Sequence, residues 1–469
     1  MAGLASTDPG ILTFLFHVTA FRRRMMMMMM VIIITTAMCS SSSEAARPWP
    51  CEFEGFQDGF SPCSSDSDGS WTPFNVVNVD WHGAKGDGVT DDTQAFMDAW
   101  NETCSSESSV LMIPVNKTYL VNHLELRGPC ASSVVVEVAG TLLAPSEPSA
   151  LNNSHGNAWI LFSYINGLTV EGGGTLDGRG QQWWDLSCKR NKSNKCKDAP
   201  TTLRFSYVTN LKVSDLMSRD SPQVHLIFSN CYGVDVANVQ VQAPEDSPNT
   251  DGIHIAATQN VLVRNSSMGT GDDCVSIVSG SADIRLENIT CGPGHGISVG
   301  SLGKGGSNDF VSVVVVDGAV LTGTANGVRI KTWADGAGAA VGMIFENIQM
   351  INVSHPIIID QRYCDSASPS SCHTNETSAV RISQVYYRNI RGTSATKQAI
   401  KLQCSQVSPC TNLLFEDVDL VWDMGSANST TFCENAQGFL MGSVFPYVDC
   451  LPPLPEADEG NAARLARYS

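Results

Sequence analysis

A short strand-like theme that returns every two to four dozen residues constrains this chain more than any other feature. Between about residues 134 and 420 a mostly β-branched triplet recurs as Leu211-Lys-Val213, Val234-Asp-Val236, Val261-Leu-Val263, Ile284-Arg-Leu286, Val313-Val-Val315, Met343-Ile-Phe345, Val385-Tyr-Tyr387 and Leu413-Leu-Phe415. Their first residues are 23, 27, 23, 29, 30, 42 and 28 positions apart, and an Asn or Asp and a turn separate one short strand from the next. A sustained period in the twenties, with almost no helical periodicity, predicts an all-β, single-domain, right-handed parallel β-helix. A β-sandwich would need no such period. Length agrees, since a chain of 469 residues with 16% charge outgrows one compact globule, whereas a solenoid enlarges its core by stacking. The longer steps predict loops at residues 302–308, 333–340 and 365–377, placed to wall a cleft.

The ends read differently. Residues 1–46 form a signal-peptide region: Arg22, Arg23 and Arg24 precede an apolar run over residues 25–38, followed by small residues up to Ala46. The run falls short of the ~20 residues that span a bilayer, so a secreted protein with no membrane association after signal removal is expected. Residues 47–73 read as a loose leader, 74–450 as the solenoid domain and 451–469 as a C-terminal tail. Within the domain, 76–81 reads as a strand, 83–88 as a turn, and 91–100 as a short helix with Asp91 as its cap and Gln94 three residues later. Being amphipathic, that helix can cover the exposed end of the stack. Sixteen cysteines without paired Cys-x-x-Cys spacing favour disulfides over zinc. Nine Asn-x-Ser/Thr acceptors, at Asn101, Asn116, Asn152, Asn191, Asn265, Asn288, Asn352, Asn375 and Asn428, agree with an oxidising, secretory route. The net charge of −18 argues against nucleic acid or an anionic membrane as a partner. A polyanionic substrate would then need a local basic patch.

Polar residues recur at coil spacing. Asp251 and Asp272 are 21 apart, Asp272 and His295 23, His295 and Arg329 34, and Arg329 and Tyr363 34, which predicts one polar flank. Four lie in Gly-containing segments: Asn249-Thr-Asp-Gly252, Gly271-Asp-Asp-Cys274, Gly294-His-Gly296 and Gly327-Val-Arg-Ile-Lys331. Neighbouring carboxylates suit glycosidic cleavage, where one donates a proton to the leaving oxygen and another activates water. Like charges at close quarters raise one pKa and so prepare the acid. Arg329 and Lys331, two apart on a strand, share a face and can hold an anionic sugar. Singly, each motif has a plainer reading: Asn-Thr-Asp-Gly as a turn, Asp272 and Asp273 as a turn cap or calcium ligands, His295 as a turn residue, and the cations as a solvated face. Together, at coil spacing, they favour a site. Alternation along a strand would turn Asp272 and Asp273 to opposite sides, so both reach one cleft only if the backbone bends near Gly271.

These motifs, in this order, resemble those of the polygalacturonases of glycoside hydrolase family 28, most closely the plant branch. Gly83-Ala-Lys-Gly-Asp-Gly88, Gly174-Thr-Leu-Asp-Gly178 with Trp183-Trp184, Ser221-Pro-Gln-Val-His225 and Ile359-Asp-Gln-Arg-Tyr-Cys364 extend the likeness over residues 76–450. The resemblance implies hydrolysis of the α-1,4 bonds of pectin or polygalacturonate with inversion, by a monomer needing no metal or cofactor. It implies Asp272 as general acid, Asp251 and Asp273 as activators of water and His295 as modulator of the acid. Arg329, Lys331, Tyr363 and Asn249 would bind substrate. It further implies disulfides Cys274–Cys291, Cys364–Cys372, Cys404–Cys410 and Cys433–Cys450. Proximity adds Cys188–Cys196, Cys104–Cys130 and Cys51–Cys63, leaving Cys231 as a buried thiol. Asp220 and Arg362 stand where the family more often has Asn. Two alternatives are a calcium-dependent pectate lyase, recognised by unsaturated products and chelator sensitivity, and a catalytically silent wall-binding protein, which intact Asp251, Asp272 and Asp273 argue against.

Overall fold

The computed structural model describes residues 63–65, 71–73, 75–151, 157–365, 372, 377–424 and 428–455. The signal-peptide region and most of the tail lie outside them. The chain winds as a right-handed parallel β-helix. One sheet of 11 parallel strands runs from Leu124–Arg127 to Thr430–Glu434, and a 20-stranded sheet supplies the rest of each coil.

Each coil must turn corners, and a corner needs a residue in the left-handed region, which Gly, Asn and Asp tolerate best. That is the physical content of the recurring Asn or Asp. Asn210, Gly233, Asn260, Asp283, Gly342 and Asn412 all have positive φ, each just ahead of an inward-facing residue. A second column adds side-chain bonds between coils: Asn238 Nδ2 donates to Asp215 Oδ1 at 2.9 Å, and Asn389 Nδ2 to Asn347 Oδ1 at 2.8 Å. Val313 occupies the first column at φ 55°. Consequently Ile284 pairs with Val314, not Val313, and Val314 with Met343, so the coil steps there are 30 and 29. Counting triplets misplaced that register by one because Val313 looks like a strand residue while serving as a corner.

Inside, register sets like on like. Phe162, Phe205 and Phe228 stack at centroid distances of 5.5 and 5.3 Å with nearly parallel rings, close to the ~4.8 Å strand spacing. Tyr387 stacks likewise between Phe345 and Phe415. All six are fully buried or nearly so.

At the N-terminal end the helix Thr93–Ser105 buries Phe96, Ala99 and Trp100 against the first coils, and Trp100 Nε1 donates to Arg127 O. It starts two residues later than expected. Asp92 is at the cap position, but its carboxylate accepts from Lys85 N and Gly86 N, closing the preceding turn. The helix's own first N–H, that of Thr93, goes to Asp91 Oδ1 at 3.0 Å. The strand expected over 76–81 stops at Asn78 and continues as the 3-10 turn Val79–His82. Within residues 47–73, Cys63–Ser65 pairs antiparallel with Trp71–Pro73.

Among the described residues six disulfides form: Cys104–Cys130, Cys188–Cys196, Cys274–Cys291, Cys364–Cys372, Cys404–Cys410 and Cys433–Cys450. Cys231 is free and buried. The expected Cys51–Cys63 pair lies outside the described residues, since Cys51 is not among them. No helix among the described residues is long and apolar enough to cross a membrane.

Candidate active site

The 11-stranded sheet carries the cluster. Because its strands are parallel, the chain enters every strand at one edge, the leading edge, and leaves at the other, the trailing edge. Strand pairing sets Ile253, Val275 and Ile297 side by side. Counting back two residues, the column at the leading edge is Asp251, Asp273 and His295, spaced 22 apart, with Asp272 one residue outside it. Arg329 aligns with Ser298 and Ile358, and Tyr363 aligns with Trp333 at the trailing edge. The five groups therefore do not lie on one flank, as coil arithmetic predicted. They run across the sheet, carboxylates and histidine at the leading edge, Arg329 and Lys331 within a strand, Tyr363 beyond them. The arithmetic failed because inserted loops lengthen coils, so equal intervals do not mean equal positions.

The strand after Asp272 and Asp273 begins only at Val275, so the alternation rule does not govern them. Asp273 N donates to Asp272 Oδ1 at 2.9 Å and Gly271 N donates to Thr250 Oγ1 at 3.0 Å, which folds the segment into a bend. Gly271 serves close approach here: a Cβ would stand 2.0 Å from Ser247 O.

Asp272 is surrounded by donors. His295 Nδ1 lies 2.9 Å from its Oδ1, and Asn249 Nδ2 donates to its Oδ2 at 3.2 Å. Asp273, whose side chain is 2% exposed, is salt-bridged to both cations: Arg329 Nη2 at 2.8 Å on Oδ1 and Lys331 Nζ at 2.7 Å on Oδ2. Ser298 Oγ donates to Oδ1 as well. The two cations expected to bind substrate are thus also engaged with Asp273. Lys331 Nζ also sits 5.4 Å from the centre of the Tyr363 ring, which packs edge-on against Trp333.

Charge separates the carboxylates. Burial, and then the neighbouring Asp272 and Asp273 charges, push Asp251 well above the carboxylate range, with only a hydrogen bond from Ser276 and the Lys331 charge opposing. Burial would raise Asp272 too, but its contact with His295, the Lys331 charge and the Asp273 N–H together hold it below the usual value. The two neighbouring carboxylates are thus pushed in opposite directions, Asp251 toward its neutral form and Asp272 toward its charged one. Burial pushes the Tyr363 phenol up to about 12, keeping it a hydrogen-bond donor.

Three participants escaped the reading of the sequence. Ser276 Oγ bonds Asp251 Oδ2 at 2.7 Å and lies 2.7 Å from His254 Nδ1, while Ser298 links Asp273 to Arg329 Nε. Burial depresses His254 to about 4, so it is neutral. The signal was available: His254, Ser276 and Ser298 each follow Asp251, Asp273 and His295 by three residues, at the same interval of 22. Arg362, one of the departures noted above, is salt-bridged to Glu434.

Asp272, Asp273 and His295 each place a ligand atom within 4.8 Å of the others, as a metal site would require. The donors do not fit one. Both Asp273 oxygens already face a cation and His295 Nδ1 faces Asp272, so a divalent ion would meet two positive charges. What the arrangement can do is move protons among close carboxylates beside an anion-binding pair.

The family model for glycosyl hydrolases family 28 matches residues 104–444. A polygalacturonase of Persea americana is 52% identical over 79% of this chain and 79% of its own length, and polygalacturonase-2 of Solanum lycopersicum is 48% identical over 77% and 78%. Among solved structures, the endo-xylogalacturonan hydrolase of Aspergillus tubingensis aligns with TM-score 0.65 and 25% identity over 77% of this chain and 96% of that one. The chain belongs to glycosyl hydrolases family 28 and is a glycoside hydrolase, which leaves the lyase and silent-binder readings unsupported.

Proposed function

We propose that this enzyme is a secreted polygalacturonase that hydrolyses α-1,4-galacturonosidic bonds of pectin and polygalacturonate with inversion. The observation that carries this reading is a carboxylate cluster whose most buried member is bound to Arg329 and Lys331: a neutral sugar would need no such pair, whereas a uronate carboxylate can compete for it. Asp272 is the general acid, Asp251 with Asp273 activates water, and His295 sets the proton on the acid. Tyr363 and Asn249 line the sugar site. Every one of these side chains comes from a single solenoid, which supports action as a monomer, and the six disulfides support an extracellular, cell-wall location.

Asp251 pushed up and Asp272 held down is the reverse of the order the reaction needs, and substrate charge can invert it. A substrate carboxylate drawn to Lys331 brings a negative charge near Asp272 and competes for a cation that, after His295, helps keep it ionised. Asp272 then takes a proton, and Asp251 can lose its own to become the base. The pair shares one proton whose position depends on substrate. The test is the reaction itself: new reducing ends from polygalacturonate, no absorbance from unsaturated products, no response to chelator, and a first-formed anomer of inverted configuration by NMR. A retained anomer would overturn the mechanism.

A further inference from the structure

The acidic chain concentrates five of its 29 basic residues in one short segment: Lys189, Arg190, Lys192, Lys195 and Lys197. The Cys188–Cys196 disulfide closes a loop that holds the first four. It leads into the strand Thr201–Ser206 and so springs from the leading edge of the cleft sheet. Its Lys189 Nζ nevertheless contacts both oxygens of Asp365, each at 3.0 Å. Asp365 follows the strand His355–Tyr363 and so stands at the trailing edge, beside Tyr363 and next to the Cys364–Cys372 disulfide.

A contact between opposite edges of one sheet must pass over its outer face, because the other route runs behind the solenoid. Along the sheet, the strands bearing or following Asp251, Asp273, His295 and Arg329 all lie between those two strands, which are six strand steps, roughly 29 Å, apart. Partway along, Arg190 is salt-bridged to Asp246, in the segment just ahead of Asp251. Lys192 and Lys195 are exposed and have no ion-pair partner among the described residues.

We propose that the Cys188–Cys196 loop is a basic roof over the catalytic cleft, latched at Lys189–Asp365, that holds a polyuronate chain against the sheet. This rests on the polygalacturonase reading and supplies the local basic patch that a polyanion needs on a protein of net charge −18. The latch joins two residues that are each nearly half exposed, so it holds weakly and opens to admit polymer. Its anchors are firm, since each partner adjoins a disulfide.

The test measures binding in an Asp272→Asn background, where turnover does not consume the probe, with polygalacturonate of defined length. The double variant Lys192→Gln/Lys195→Gln is expected to bind polymer about threefold to tenfold more weakly and with a shallower salt dependence. Lys189→Asp should weaken binding as well, and adding Asp365→Lys should restore it. Melting curves that overlay the parent's confirm folding. Unchanged binding and salt slope in the double variant would overturn the roof; no rescue by Asp365→Lys would overturn the latch. A parent that binds polymer through the loop, while the wild-type enzyme releases no reducing ends, would uphold the roof and overturn the hydrolase reading.

Discussion

The interior of the solenoid and the leading edge of its cleft sheet obey the same register with opposite results. Inside, coil stacking puts Phe205 between Phe162 and Phe228, and every added coil buries more of the same surface. At the leading edge the same stacking puts Asp251 on Asp273, a like-charge neighbour that no folding requirement calls for. One column stabilises the fold; the other crowds carboxylates, which the proposed proton transfer would use. Mutations should separate the two.

The largest expected effect falls at the edge. Asp272→Asn keeps the shape but not every hydrogen bond, since its NH2 cannot accept from Asn249 Nδ2, and it cannot carry the transferable proton, so reducing-end release should fall by about 10²–10⁴-fold with only a small loss of stability. Turnover near wild type would remove Asp272 from the role of acid. The interior should show the converse. Phe205→Ala opens a gap in the middle of a stack and should cost about 3–5 kcal/mol in denaturant unfolding, with activity per folded molecule unchanged. If it lowered kcat as strongly as stability, the separation of regions would fail.

Acidity sharpens the contrast. Asp251 is raised in the folded state, so between the ordinary carboxylate value and its folded value the native state holds the extra proton, and stability falls as pH rises through that window. Asp272 is lowered, so its contribution is present above the ordinary value and is lost as pH falls toward its folded value. Asp251→Asn should abolish the first slope and leave the second. A wild-type stability that climbs steadily from pH 4 upward would show that Asp251 is not the group holding the proton.

Legibility followed the same divide. The fold was readable because its repeat is written in residues with no alternative use: inward Val, Ile and Leu, and Asn or Asp at corners. It misread register only at Val313, where a strand former takes a corner. The charged groups of the site were readable as residue types in Gly-containing segments, but their arrangement across the sheet was not, because loop insertions break the link between interval and position. The engagement of Arg329 and Lys331 with Asp273 was hidden for a related reason. Sequence shows which charges can meet, and only strand register shows that two cations converge on one carboxylate 56 and 58 residues away.

The smallest effect tests the finest feature. Ser276 makes a hydrogen bond that favours the charged form of Asp251, and His254, kept neutral by burial, orients that hydroxyl from the other side. Ser276→Ala removes a bond worth about 0.5–1.5 kcal/mol, so Asp251 should rise further and the acid limb of the kcat/KM profile should move to higher pH. Below that limb the rate should drop about threefold to tenfold, and it should recover at higher pH, where Asp251 ionises even without Ser276. A uniform loss at all pH values would mean that Ser276 shapes the cleft and does not tune the base. His254→Gln, which keeps a hydrogen-bonding partner for Ser276, should move the limb less than Ser276→Ala does. An equal or larger shift would relocate the control of Asp251 from the serine to the histidine.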